Sequence, residues 1–240
     1  ELEAFKINAS KASEKELAEF IPSGNRFITK LKQKFPVPFS RIIFNEHSHK
    51  FHDQFFSLPS DTYINGFWQN EKYFKDIRDI LLSEFELKER LLAPHNTFIT
   101  KITSSESIGV HVRRGDYVNS ESANSFHGLC DLNYYNNAFE ILKSKNYALN
   151  FFVFSDDISW CKENFSGNNF YFVETNSNPA VDLILMSRCS HQVIANSSFS
   201  WWAAWLNKNK TKTVVAPEFW FRKTKSVELG ILPSDWQIIK

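Results

Sequence analysis

From Ile108 onward the sequence alternates short apolar runs with amphipathic stretches, and this alternation restricts the chain to a few folds. The runs Ile108-Gly109-Val110-His111-Val112, Leu149 to Phe154, Phe170 to Val173, His191 to Ala195 and Thr213 to Ala216 are too short for helices. They read as strands buried in a sheet. Between them, Asp131 is placed to cap a helix carrying Tyr135, Ala138, Phe139 and Leu142, and Ile158 to Asn164 forms a second helix. Pro179 opens a third with Val181, Ile184, Leu185 and Met186, and Phe199 to Leu206 makes a fourth. Strands alternating with helices pair in parallel through right-handed crossovers, so the expected class is α/β with a doubly wound sheet.

In an open parallel sheet ligands bind beyond the carboxyl ends of the strands. Three such ends are polar here: Arg113 and Arg114, then Asp156 and Asp157, then Asn196, Ser197 and Ser198. Alternate strand residues share a face, so Gly109, His111 and Arg113 align while Val110, Val112 and Arg114 point the other way. Paired guanidiniums suit the oxygens of a phosphate or carboxylate. A carboxylate accepts from a base edge or a ribose hydroxyl, and a Ser-Ser loop entering a helix offers donors to an anion. Each cluster also has a plain structural reading. The arginines can pair with acidic neighbours and hold a loop, Asp116 can brace either of them, and aspartates or serines after strands cap helices. Convergence of all three on one rim is what points to a nucleoside diphosphate.

Composition removes other classes. With 28 basic and 27 acidic residues, the net charge of +1 provides no general basic surface for nucleic acid or anionic lipid. There is no Gly-x-Gly-x-x-Gly and no Walker loop, so dinucleotide oxidoreductases and nucleotide hydrolases lose their usual signature. No Asp-x-Asp occurs, so a metal-held nucleotide sugar is not indicated, and arginine is expected to take the place of a cation. His47, His49 and His52 cluster without a carboxylate or cysteine at ligand spacing and read as loop histidines. Cys130, Cys161 and Cys189 make an odd set with no Cys-x-x-Cys, which favours a reducing interior over a disulfide framework. No apolar run approaches the roughly 20 residues of a membrane span, and no signal-peptide pattern opens the chain.

In the first hundred residues Ser13-Glu14-Lys15-Glu16 fits a capping box, and Pro22-Ser23-Gly24 ends the helix it opens. Arg41 to Phe44 and Thr62 to Gln69 read as strands, Tyr73 to Leu81 has helical spacing, and Asn96 is placed to cap a helix through Lys101. The polar Ser104-Ser105-Glu106-Ser107 reads as a hinge. It divides residues 1–104 from residues 105–240.

Taken together, His111-Val112-Arg113-Arg114-Gly115-Asp116-Tyr117, Phe154-Ser155-Asp156-Asp157 and Ile194 to Leu206 closely resemble the α-1,2-fucosyltransferase family of bacterial type, glycosyltransferase family 11. The stretch Gly66 to Phe74 matches as well, so the resemblance covers essentially the whole chain. It implies a GT-B-like glycosyltransferase that transfers L-fucose from GDP-fucose, with inversion and without metal or other cofactor, to a galactose-containing glycan, O2 of a β-galactoside. Residues 105–240 would be the Rossmann-like GDP-fucose domain and residues 1–104 a partial acceptor-side lobe. His111 and Arg113 would be catalytic. Arg113, Arg114, Asp156, Asp157, Asp182, Asn196, Ser197, Ser198 and Phe199 would bind the donor, with the aspartates 156 and 157 near guanine and ribose and residues 197–199 along the diphosphate. The family's opening strand and Gly-Gly-x-Gly-Asn-Gln loop have no counterpart in these residues, so the sequence reads as N-terminally truncated. The expected location is cytoplasmic, with peripheral association at the inner membrane face. An inert nucleotide-sugar or glycan-binding module, and a fucosyltransferase of another linkage, are the alternatives.

Overall fold

The computed structural model describes residues 2–20, 42–115, 118, 120–144, 148–175 and 178–240. The expectations for Pro22-Ser23-Gly24, Arg41 and Asp116 lie outside these residues. By packing, the chain forms two units, Asn8–Asp76 on one hand and Glu1–Ile7 with Ile77–Lys240 on the other.

The smaller unit opens with helix α1, Glu14–Phe20, whose capping box is present. The Ser13 hydroxyl accepts the Glu16 N–H at 3.3 Å while the Glu16 carboxylate accepts the Ser13 N–H at 2.7 Å. Strand β1, Ile42–Asn45, pairs in parallel with β2, Thr62–Asn65. The longer strand expected to reach Gln69 stops at Asn65. There the Glu46 carboxylate gathers the N–H groups of Phe67 and Trp68, at 2.7 and 3.2 Å, and Trp68 takes a left-handed φ of 53° that no strand tolerates. Two strands bury little by themselves, so rings supply the cohesion. Trp68 stacks on Phe44 at 5.9 Å, and Tyr73 meets Phe51, Phe55 and Trp68 at 4.9, 4.9 and 5.4 Å.

The larger unit begins with short helices α2, Arg78–Glu84, α3, Glu89–Leu92, and α4, Asn96–Thr103. Asn96 is the first residue of α4, and His95 occupies the cap position without a side-chain bond. There follow β3, Glu106–Val112; α5, Glu121–His127; α6, Leu132–Lys143; β4, Leu149–Ser155; and α7, Ile158–Asn164. The chain continues through β5, Phe170–Phe172; α8, Pro179–Ser187; β6, His191–Val193; α9, Ser198–Leu206; and β7, Val214–Pro217. It closes with β8, Phe219–Phe221; β9, Thr224–Lys225; α10, Ser226–Leu229; and β10, Gln237–Ile239. As expected, Asp131 caps α6, accepting the Tyr134 N–H at 2.9 Å.

Six of these strands make one sheet in the order β10-β7-β6-β3-β4-β5, with every pairing parallel. The chain walks outward from β3 through β4 to β5, then returns to the other side of β3 to lay down β6, β7 and β10. Its direction reverses between β3 and β6, which is the topological switch point of a doubly wound sheet. On one face, Tyr134, Tyr135 and Phe139 of α6 pack on Ile108, Val110, Val112, Phe151 and Val153. On the other, α8 lies against β3 so closely that a β-carbon at Gly109 would sit 2.9 Å from Met186 Cγ.

The division at 104/105 is not where packing separates the units. Residues 77–104 belong with the sheet because Ile102 is fully buried and α4 packs on both β3 and α8. The segment before Asn8 joins them through an antiparallel bridge from Phe5 to Leu87, with the Phe5 ring 5.2 Å from Phe85.

Candidate active site

The loop after β3 and the loop after β4 are locked together by charge. Arg113 Nη1 lies 3.0 Å from Asp156 Oδ2, and Asp156 Oδ1 accepts the Arg114 backbone N–H at 2.8 Å. Gly115 makes this possible, since a β-carbon there would stand 2.7 Å from Asp156 Oδ2. Arg114 Nε donates to Asp157 Oδ2 at 3.2 Å, and its guanidinium lies over the Trp160 ring, 4.2 Å from the centroid. Asp157 Oδ1 meanwhile accepts the Trp160 N–H at 3.1 Å as the N-cap of α7. The bland reading of the arginines is therefore correct as far as it goes: both pair with acidic neighbours. They do so on the rim beside the switch point, and they differ in access, the Arg113 side chain being 35% exposed and Arg114 20%. Arg114 is walled in; Arg113 reaches further out.

His111 is 5% exposed, its ring 5.0 Å from Phe199, and its backbone oxygen accepts the Tyr135 hydroxyl at 3.1 Å. Among the described residues Nδ1 has no hydrogen-bond partner. Burial, reinforced by the charge of Arg113, pushes the imidazole down to about 3. The unfolded chain titrates His111 near its ordinary value and the folded chain does not, so below the ordinary value the unfolded state holds the extra proton. Stability from this group is whole at neutral pH and falls as acid is added, by about 1.4 kcal/mol per pH unit until the folded value is reached. His111→Gln is expected to flatten that acid limb between pH 6 and pH 4 in urea titrations. Parallel limbs for the two proteins would refute the assignment.

After β6, Asn196 is 3% exposed and its side chain is already spent. Its Nδ2 reaches the carbonyls of His127, Trp220 and Gly128 at 3.0, 3.2 and 3.4 Å, and its Oδ1 accepts the Cys130 thiol at 3.6 Å. It fastens neighbouring loops to the sheet. Ser197 precedes α9 without a side-chain cap bond, and Ser198 is exposed, so the first-turn N–H groups of this nine-residue helix are not claimed by a cap.

Asp182 stands in the first turn of α8, where its Oδ1 accepts the Thr175 hydroxyl at 2.6 Å. Burial raises its carboxyl above the usual range, with the Thr175 bond and the charge of His95 opposing. Met186 packs at Gly109, and α8 runs antiparallel to β3. Of the three candidate aspartates, Asp182 alone is not held by an arginine among the described residues.

Sequence reasoning gave no part in the site to Trp160 or Thr175, placed Tyr135 only on a helix face, and quoted Gly115 only within the arginine motif. Only Trp160 had a signal, its N–H lying three residues after a capping aspartate. Among the described residues no group of three or more His, Cys, Asp or Glu is placed to hold a metal ion, and no helix is long and apolar enough to cross a membrane.

The chain is 36% identical over 238 residues to an α-1,2-colitosyltransferase of Escherichia coli, covering 95% of this chain and 79% of that protein. It is 35% identical over 163 residues to the O-antigen biosynthesis glycosyltransferase WbnK of Escherichia coli, covering 65% of this chain and 54% of that one. With the bovine galactoside α-(1,2)-fucosyltransferase 2 the identity is 27%, over 75% of this chain and 56% of the relative. The chain thus spans only about half the length of several curated relatives it matches. Among solved structures, the NodZ α-1,6-fucosyltransferase co-crystallized with GDP aligns at 18% identity and a TM-score of 0.40, over 60% of this chain and 50% of that one. The model of the family described as glycosyl transferase family 11 matches residues 28–239, taking in all three polar strand ends, and the chain belongs to that family.

Proposed function

We propose that this glycosyltransferase moves L-fucose from GDP-fucose to a hydroxyl of a galactose-containing glycan, O2 of a β-galactoside, inverting the anomeric carbon and using no metal ion. The observation that carries the reading is Arg113, braced by Asp156 at the switch point with the open end of α9 on the neighbouring strand. A guanidinium has five donors, so holding Asp156 does not by itself exhaust Arg113 as a partner for the diphosphate. The acceptor hydroxyl attacks from the face opposite GDP, the bond to the leaving β-phosphate loosens, and the charge left on its oxygens is met by Arg113 and by the α9 amides.

The roles of the aspartates change with their surroundings. Asp156 spends both oxygens on Arg113 and Arg114, and Asp157 divides its own between Arg114 and the Trp160 N–H, so we assign the guanine edge to Asp182 in the first turn of α8. A carboxylate accepts from the two adjacent N–H groups of guanine. Asn196 acts by positioning loops, leaving Ser197, Ser198 and Phe199 to line the phosphates. The three free thiols fit a cytoplasmic setting, with peripheral association at the inner membrane face.

A second donor deserves a direct comparison, because the colitosyltransferase likeness runs over 95% of this chain. Colitose is fucose without its 3-hydroxyl. A site that hydrogen-bonds that hydroxyl rejects the deoxy sugar by about 10,000-fold, whereas a site shaped for the deoxy sugar rejects fucose only about 100-fold. Assays of the full-length protein with each GDP-sugar and a β-galactoside are expected to favour GDP-fucose and to keep their rate in excess EDTA. Preference for GDP-colitose would overturn the donor assignment. Loss of activity restored by a divalent ion would overturn the metal-free one, and GDP affinity without any transfer would favour the binding-module alternative.

A further inference from the structure

A cavity of about 670 Å³ opens on the carboxyl rim of the sheet on the far side of Asn196 from β3. Its walls come from the β3–α6 connection, with Asn124, His127 and Asp131, and from the β7–β8 turn, with Glu218, Phe219 and Arg222. Glu218 directly follows β7, two strand spacings or about 10 Å from β3.

Three observations indicate a ligand. First, Glu218 Oε1 is paired with Lys225 at 2.7 Å, but Oε2 is buried with no hydrogen-bond partner among the described residues. A carboxylate oxygen in that state is costly, and a small rotation of the side chain would present it to a hydroxyl. Second, the walls are fastened in advance. Asn196 ties His127, Gly128 and Trp220 together, and Arg222 Nη1 bonds the Asn124 carbonyl and side-chain oxygens at 3.4 and 3.1 Å. Third, Phe219 stays 42% exposed, an apolar ring in a lining that also brings Leu129, Pro217 and Ile239. Carboxylate, guanidinium and amide next to an aromatic face suit a ring that is hydroxylated on its edge and apolar on its face. Asp131 and Glu218 are balanced in the same lining by Arg222 and Lys240, so the cavity has no excess of positive charge to select an anion and suits a neutral occupant.

We propose that this cavity is an acceptor subsite for a neutral pyranose, with Glu218 and Arg222 binding its hydroxyls and Phe219 its C–H face. The proposal rests on the glycan-transfer reading above and adds a specific acceptor contact on the donor-binding unit. The test uses the full-length protein and its E218Q, R222A and F219A variants. Acceptor KM for methyl β-galactoside is measured with saturating GDP-fucose, and GDP affinity is measured separately by calorimetry. Each variant is expected to raise acceptor KM tenfold or more while GDP affinity stays within twofold. The surface change F219A keeps the test sound if either charged variant folds poorly. Unchanged acceptor KM in F219A and in the folded charged variants would overturn the subsite, as would weakened GDP binding with acceptor KM intact. Wild-type protein that binds no GDP would defeat the underlying donor reading instead.

Discussion

Arg113→Ala is expected to lower turnover about 100-fold to 1,000-fold, the cost of removing one donor aimed at charge that develops in a transition state. The side chain stands on the rim at the switch point with Asp156 as its brace, so it is held in place before substrate arrives. Such preorganisation raises rate more than it tightens ground-state binding, so GDP affinity should fall far less than turnover. Arg113→Lys should also lose most activity, since a point charge cannot hold Asp156 and a phosphate together. Stability should change little, because a partly exposed pair is worth about 1 kcal/mol or less. Steady-state and thermal measurements on the full-length protein separate these effects. Turnover within threefold of wild type in either folded variant would remove Arg113 from the mechanism.

Asn196→Ala should destabilise the protein by about 3 kcal/mol, because it strips hydrogen bonds from three carbonyls in a closed region, each loss costing about 1 kcal/mol or more. The same change frees the His127–Gly128 turn and β8, so transfer activity should drop even at temperatures where the variant stays folded. Urea unfolding at neutral pH reads the first effect and acceptor KM the second. A stability loss under about 1 kcal/mol would mean that water replaces the amide and that its fastening role is minor.

Much of this arrangement was legible in the residues. The strand and helix series held because each element needs only local information: apolar runs of strand length, Asp131 at a helix cap, Pro179 in a first turn. The polar strand ends followed from those elements, since a parallel sheet puts every strand's carboxyl end on one rim. Boundaries failed where a contact from outside intervened. The Glu46 carboxylate cut β2 short, and burial of Ile102 carried residues 77–104 into the larger unit.

The bonds each polar residue makes were less legible than its place on the rim. Asp156, Asp157, Asp182 and Asn196 all qualify by type and position, and nothing in the chain says which of them is already committed to a neighbour. The sequence by itself determined a doubly wound α/β unit with arginines, aspartates and serines on one edge, because hydrophobic period and cap chemistry are written in adjacent residues. Tertiary structure alone decided that Asp156 and Asp157 grip the arginines, that Asn196 clamps loops, and that Glu218 borders a cavity. Those outcomes depend on which side chains meet across strands far apart in the chain, and competition for hydrogen-bond partners is settled only when the strands lie side by side.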